Sequence, residues 1–251
     1  MSAPVFLDPA LAEVRTGARL ELTGEEARHA VAARRIRVGE RVDVVNGAGL
    51  RVRGCVSAAL KNPARLQIAV EEVIREAEPS PRLTLVQAIA KGGRDELAVQ
   101  MATETGVDSI LAWQADRCVA RWGAKAERRR ERWAGIASEA AKQARRAFRP
   151  EVAGPVTTAQ LSDVIADGTL GDIVLLAHEE ATHPISTVDL TGATSVAVLV
   201  GPEGGITPEE VNLLTGAGAQ VVLLGPHVLR TSTAGPVAVA HLAERSGRWA
   251  T

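Results

Sequence analysis

The chain has 251 residues, 46% apolar and 24% charged, enough for one large hydrophobic core or two smaller ones. No run of 18 apolar residues exists, which excludes a transmembrane helix, and the opening Met1–Asp8 lacks the basic-then-apolar form of a secretion signal, so a cytoplasmic location is expected. The net charge of −1 hides an asymmetry: residues 1–149 carry 26 Lys/Arg against 19 Asp/Glu, and residues 150–251 carry 3 against 11. A local basic excess of this kind suits phosphate contact, or else a solvated helix face. Cys55 and Cys118 stand alone, without a CxxC pair or a histidine at ligand spacing, and the five histidines are scattered. Neither a disulfide framework nor a metal site is expected, and no membrane partner. With no Tyr, two Phe and four Trp, aromatic stacking on single-stranded bases is not the expected mode of binding.

Residues 1–76 read as short strands and turns, a small β-barrel. Thr23–Ala30 is a short helical piece, with Thr23 as the capping hydroxyl and Glu26 at the capping-box position. Basic residues Arg28, Arg34, Arg35 and Arg37 surround one turn after it. Arg41–Val45 alternates and runs into Asn46-Gly47, a hairpin signal before Leu50–Ser57, and Leu66–Val70 alternates again. Glu76-Ala77-Glu78-Pro79-Ser80-Pro81 is the clearest linker, with residues 77–81 separating the first domain from a second at 82–251.

Beyond the linker the pattern becomes strand, helix, strand. Leu83–Ile89 is an apolar strand, Lys91-Gly92-Gly93-Arg94-Asp95 turns, and Glu96–Thr105 is a helix closed by Gly106. Ser109–Trp113 is the next strand. Lys125–Phe148 reads as one long helix, because Trp133, Ile136, Ala137, Ala140, Ala141 and Ala144 recur at three- and four-residue spacing. Its other faces are basic: Arg121–Arg149 holds ten basic and three acidic residues. Ile173–Ala177, 196–200 and 221–224 are further buried strands. Such alternation predicts an α/β domain with a mainly parallel sheet covered on both faces.

Two of these strands end in Gly-Pro. Val196–Leu199 runs into Val200-Gly201-Pro202-Glu203-Gly204-Gly205, then Thr207-Pro208-Glu209-Glu210, a capping box with proline at the first helical position. Val221–Leu224 runs into Gly225-Pro226-His227-Val228-Leu229-Arg230, then Thr231-Ser232-Thr233, read as the cap of a helix Ala234–Arg245. Strand, tight loop and helix in that order place backbone groups against a ligand. No Gly-x-Gly-x-x-Gly or Gly-Lys-Ser/Thr follows any strand and no Gly-x-Ser-x-Gly elbow exists, so dinucleotide, P-loop and serine-hydrolase readings fail.

These two loops resemble the ribosomal RNA small-subunit methyltransferase E family, SPOUT-class enzymes that methylate N3 of a uridine in 16S rRNA. The resemblance extends over nearly the whole chain. Lys91–Glu96 with Gln100, Thr103-Glu104 and Gly106-Val107 is similar to the first motif of that family's catalytic domain. Glu139-Ala140-Ala141-Lys142-Gln143 with Arg145 is similar to its helix motif, and His29 with Arg34-Arg35 to its PUA-like barrel. Membership implies a deep C-terminal trefoil knot, against the general rule on threading, a homodimer, and S-adenosylmethionine (SAM) as cofactor. By the same resemblance, SAM would be held by backbone and apolar groups of Ala177, His178, Leu199, Val200, Gly201, Pro202, Gly205, Leu224, Gly225, Val228 and Leu229, with Ala234 nearby. Arg230 would stabilise charge developing on the uracil oxygens, and Glu203 is either the base or a residue that fixes its loop. The small-subunit rRNA would meet Arg34, Arg35, Lys91, Arg94, Arg145 and Arg146. Two departures stand out: Ser232 replaces the family's usual Glu, and His227 its usual Arg. Rival readings are a SPOUT methyltransferase for another RNA and a non-catalytic RNA-binding or ribosome-assembly factor.

Overall fold

Alternating valines and leucines in the first third of the chain give strands with one buried face. In the computed structural model, which describes residues 3–250, β1 (Val5–Leu7), β2 (Arg19–Leu22), β3 (Arg41–Val45), β4 (Leu50–Lys61) and β5 (Ala64–Arg75) form one sheet in the order β1-β3-β4-β5-β2. β1 and β3 pair in parallel and the other pairs are antiparallel. Val42, Val44, Val52, Val56, Leu66 and Ile68 make its core, as their two-residue spacing predicts. Asn46 closes the β3–β4 turn by accepting from the Ala48 and Leu50 N–H groups through its side chain, at 2.8 and 3.0 Å.

α1 (Gly24–Arg28) continues through a π-helical turn, His29–Ala33. The predicted capping box at Thr23 does not form: Thr23 makes no side-chain cap. Glu26 instead takes the Lys142 ammonium at 2.6 Å and the Leu7 N–H at 3.3 Å. A charge-assisted bond at a largely buried position outweighs a neutral cap.

The chain divides into two units. The first runs to Glu78 and also takes in Ala141–Arg149; the second holds Pro79–Ala140 and the chain from Pro150 onward. In the first unit, residues 141–149 lie on the sheet: Ala147 packs with Val5 and Val45, and Phe148 covers Gly49. An ideal Cβ on Gly49 would lie 2.4 Å from the Phe148 ring, so only glycine fits there. The guanidinium of Arg51, itself buried, donates to the Arg145 carbonyl (2.8 Å), Asp43 (3.0 Å) and Glu76 (2.6 Å).

The second unit is an α/β layer. Six strands, β6 (Arg82–Ala88), β7 (Ser109–Gln114), β8 (Glu151–Thr157), β9 (Ile173–Ala177), β10 (Ser195–Val200) and β11 (Gln220–Val222), lie in the order β11-β9-β10-β6-β7-β8, all parallel. Helices α2 (Arg94–Thr105), α3 (Ala126–Gln143), α4 (Thr158–Ala166), α5 (Pro208–Gly216) and α6 (Thr231–Arg245) cover it. β8 and α4 were absent from the sequence reading. Gly154-Pro155 interrupts the apolar pattern of β8, which an edge strand tolerates because one side needs no ladder bonds. α4 carries a complete capping box, Thr157 with Gln160.

α3 is shorter than expected. Of the predicted stripe, Trp133, Ala137, Ala140 and Ala141 are buried, Ile136 is half-buried and Ala144, past the helix end, is exposed; Trp133 meets Trp122 edge-on with centroids 4.9 Å apart. The helix ends at Gln143 rather than 148, because Arg145 has a left-handed backbone (φ 56°) and turns the chain. No helix among the described residues is long and apolar enough to cross a membrane.

Cys118 is buried in the second core with its thiol against the Trp113 carbonyl, and burial pushes its pKa up to about 11. Cys55 in β4 is half-buried. Because the thiolate is the reactive form, iodoacetamide at pH 8 is expected to label the native chain once, at Cys55, and the denatured chain twice. Mass spectrometry of the labelled peptides checks this, and rapid native labelling of Cys118 would contradict the packing.

Candidate active site

The register of the parallel sheet lines up four residues across it. Val200 at the end of β10 sits level with Gln87 of β6 on one side and Ala177 of β9 on the other, and Ala177 is level with Val222 of β11. Since these strands run the same way, the segments that follow them emerge along one edge: residues 89–93, 178–184, 201–207 and 223–230. The carboxyl edge of a parallel sheet is where α/β proteins bind ligands. The residues singled out for the cofactor all fall there. Ala177, Leu199 and Val200 end strands; His178, Gly201, Pro202, Gly205, Leu224, Gly225, Val228 and Leu229 lie on the loops; and Ala234 is in the first turn of α6.

The 201–207 loop is tightly folded. An ideal Cβ on Gly201 would come within 2.5 Å of Ile206 Cγ1, so this strand end accepts only glycine. The Gly205 N–H donates to the Pro202 carbonyl (3.0 Å). Arg117, from the segment after β7, donates to the Gly204 carbonyl at 3.3 Å. The loop ends in the capping box anticipated from Thr207-Pro208-Glu209-Glu210. Glu210 does more than close the box. It is only 3% exposed, and its carboxylate accepts from the Thr158 hydroxyl (2.6 Å), the Asp116 N–H (3.0 Å) and the Thr207 N–H (3.1 Å). Thr158 in turn accepts from the Trp113 indole at 3.1 Å.

The loop after β11 is held to its neighbour, since the Leu223 N–H donates to the His183 carbonyl (2.8 Å) and the Ile185 N–H to the Leu223 carbonyl (2.9 Å). His178 is fixed through its backbone N–H to the Val222 carbonyl (3.0 Å), while its ring Nδ1 accepts from the Glu180 N–H (3.2 Å). α6 begins earlier than predicted, at Thr231, and the Thr231 to Thr233 cluster does not cap it. The Thr231 hydroxyl instead donates to the Gly201 carbonyl at 2.8 Å and accepts from the Gln87 amide at 2.9 Å. Gln87, Arg117 and this use of Thr231 escaped the sequence reading. A glutamine inside the apolar run of β6 was the available signal.

Glu203, Arg94 and Lys91 come together. Glu203 Oε1 accepts from Arg94 at 3.0 Å and from the Lys91 backbone N–H at 3.4 Å, and its side chain is 19% exposed. The carboxylate thus holds the loop to the start of α2. Behind it Asp95 is buried, accepting from the Glu96 N–H (2.8 Å) and the Ala90 N–H (3.3 Å); burial raises its pKa above the usual carboxylate value. Glu96, Gln100 and Glu104 share a helix face, where Glu96 pairs with Arg132 and the Gln100 amide donates to Glu104 (3.1 Å). Arg230 takes the N-cap position of α6 with an exposed side chain that has no bonded partner among the described residues. Val228 beside it is 78% exposed, an apolar side chain left in solvent. His227 is exposed and Ser232 buried.

In the first unit, Arg34 and Arg35 are exposed at the end of the π-helical turn, and Arg145 is exposed after α3. Arg35 (φ 54°) and Arg145 (φ 56°) are the two non-glycine residues with left-handed backbone among those described. Arg146, next to Arg145, is half-buried.

The RNA methyltransferase domain family matches residues 77–243, and the RNA methyltransferase PUA domain family matches residues 22–69. The chain is 42% identical to a ribosomal RNA small subunit methyltransferase E of Mycobacterium bovis, over 93% of this chain and 89% of the relative. A methyltransferase from Legionella pneumophila, solved with SAM bound, is 28% identical with a TM-score of 0.84, covering 98% of both chains. A ribosomal RNA small subunit methyltransferase E from Neisseria gonorrhoeae, also solved with SAM, is 25% identical with a TM-score of 0.84, covering 97% of this chain and 98% of the other.

Proposed function

The chain belongs to the ribosomal RNA small subunit methyltransferase E family, and from that premise we propose that it uses SAM to methylate N3 of a uridine in the 16S rRNA of the small ribosomal subunit. The observation that carries the proposal is the row of aligned strand ends, with two glycine–proline loops fastened to each other at that edge.

The edge suits the cofactor. Leu224, Val228 and Leu229 offer apolar surface, with Leu199 and Val200 buried in the core behind their loop, and the exposed Val228 gains a cover when a ligand lies over it. Gly201, Gly205 and Gly225 let main-chain groups approach closely, which is what adenine recognition by backbone hydrogen bonds needs. When bound, SAM supplies a methyl group activated by its sulfonium.

What remains falls to the chain's own groups. The uridine must give up its N3 proton to solvent water, and negative charge then spreads over its carbonyl oxygens. Arg230, whose side chain is exposed and has no bonded partner among the described residues, would meet that charge. Glu203 is committed to Arg94 and Lys91, so its part is to hold the loop in shape rather than to take the proton. Arg34, Arg35, Lys91, Arg94, Arg145 and Arg146 are proposed to contact RNA phosphates, with Arg117 added to them because it is exposed and bonds to the loop that carries Glu203. The same reading includes closure of the first sheet into a PUA-like barrel, a trefoil knot in the second unit, a homodimer and a cytoplasmic location.

Incubating the protein with labelled SAM and small subunits from a strain lacking the enzyme, then mapping the modified nucleotide, tests the assignment. Label at uridine N3 in 16S rRNA supports it. Label in another RNA selects the rival SPOUT reading, and SAM neither bound nor consumed returns the chain to a non-catalytic RNA-binding role.

Arg145 gives a separate test. A non-glycine residue in left-handed backbone stores about 1 kcal/mol or more of strain, partly offset by the extra unfolded-state freedom that glycine brings. Arg145→Gly is therefore expected to leave stability unchanged or slightly raised. If the side chain contacts a phosphate, the same variant lowers the slope of log affinity against log salt by about 0.7 to 0.9 for RNA. Equal slopes for the two proteins would remove Arg145 from the RNA contacts.

A further inference from the structure

We propose that Gln87 and Thr231 form a positioning relay that sets the spacing of the two cofactor loops, and that the Thr231 hydroxyl governs SAM affinity through the Gly201 carbonyl. This rests on the SAM reading of that edge and adds two residues to it.

Gln87 is wholly buried between β6 and α6, and its Oε1 has no partner. A buried amide oxygen left unpaired is costly, and an aliphatic side chain would fill the same space without that penalty. Stability alone therefore does not account for glutamine here. Its Nε2 donates to the Ala88 carbonyl (3.1 Å) and to the Thr231 hydroxyl (2.9 Å). A threonine hydroxyl has one proton, and this one goes to the Gly201 carbonyl (2.8 Å), so the direction of the chain of bonds is fixed.

The three residues come from three separate parts of the edge. Gln87 is level with Val200 in the sheet, and Gly201 follows Val200 directly. Thr231 follows Arg230 and is the first residue of α6, where the 223–230 loop ends. One hydroxyl thus fastens the start of one loop to the end of the other, with β6 as the anchor. α6 has no slack above it: an ideal Cβ on Gly235 would lie 2.9 Å from Leu85 Cδ1 and 3.3 Å from Gln87 Oε1. A ligand recognised mainly by main-chain groups depends on how far apart those groups are held, because no flexible side chain can adjust. The relay is the element that sets this distance.

The test compares Thr231→Val, which keeps the shape and loses the hydroxyl, with Thr231→Ser, which keeps the hydroxyl. SAM binding is measured by calorimetry on the full chain, together with separate KM values for SAM and for small subunits. The valine variant is expected to weaken SAM binding about tenfold and raise the SAM KM in step, with the subunit KM unchanged. The serine variant is expected to restore SAM binding to within about twofold of the parent. If Thr231→Val does not fold, Gln87→Met carries the same comparison, with a severalfold loss expected. A folded valine variant with parental SAM affinity, or a serine variant as weak as the valine one, overturns the relay. A merely structural bond would lower the melting temperature and leave SAM affinity where it was, which also overturns it. Failure of the unaltered protein to bind SAM would overturn the cofactor reading itself, and is seen before any variant is made.

Discussion

Arg230→Ala is expected to lower methyl transfer by roughly 10² to 10³, the usual loss when one donor facing developing oxyanion charge is removed. SAM affinity should stay within about twofold, because the residue contributes to the transition state and not to cofactor binding. The structure makes this variant clean to read. Arg230 holds its N-cap position through backbone geometry (φ −65°, ψ 150°) without a side-chain cap, and the Thr233 and Ala234 N–H groups find its carbonyl at 2.8 and 2.9 Å. Alanine preserves all of that. Arg230→Lys keeps a charge but not the planar fork, and should recover only part of the rate. Single-turnover measurements with saturating SAM and subunits separate the chemical step from binding. Parental turnover in the alanine variant would take Arg230 out of the chemistry.

Glu210 gives the second large effect, on stability. Three donors converge on its buried carboxylate, from α4, from the segment after β7 and from the head of α5. Glu210→Ala leaves them facing an apolar hole, and the loss is expected to be about 3 to 5 kcal/mol. For a chain of this size that corresponds to roughly 10 °C in melting temperature. Glu210→Gln is not neutral either. Two donors share Oε1 and one uses Oε2, so in either orientation the single nitrogen of the new amide faces at least one donor. Its cost should lie between the parent and the alanine variant, about 1 to 3 kcal/mol. Calorimetric melting of the three proteins checks the order. A glutamine variant as stable as the parent would mean that the bonds converge on one oxygen only. Because Thr207 and Glu210 end the 201–207 loop, both variants should also bind SAM more weakly.

The strands of the second unit were legible because parallel strands covered on both faces are apolar along most of their length, as Ile173–Ala177 and 196–200 are throughout and Leu83–Ile89 is apart from Thr84 and Gln87. β8 was hidden because an edge strand can carry Gly154-Pro155, which in a central strand would break the ladder. The end of α3 was misjudged for a different reason. Its apolar spacing continues past Gln143, and only the backbone of Arg145, fixed by packing within the first unit, stops it. The binding loops announced themselves through glycine and proline, local signals that need no partner. The pairing of Gln87 with Thr231 did not, since the two are 144 residues apart and the odd glutamine in an apolar run does not name its partner. Thr23 and Thr231 misled in the same way: a hydroxyl ahead of a helix signals a cap only when nothing better reaches the site.

The return of residues 141–149 to the first sheet bears on how such a chain can change over generations. Glu26 and Arg51 keep their partners, Lys142 and the Arg145 carbonyl, only when both stretches of sequence are inherited together. A gene fusion that grafted a different leading module at Pro79 would discard the sheet and strand the basic segment that was shaped to it. Such a swap is expected to cost the chain both contacts at once.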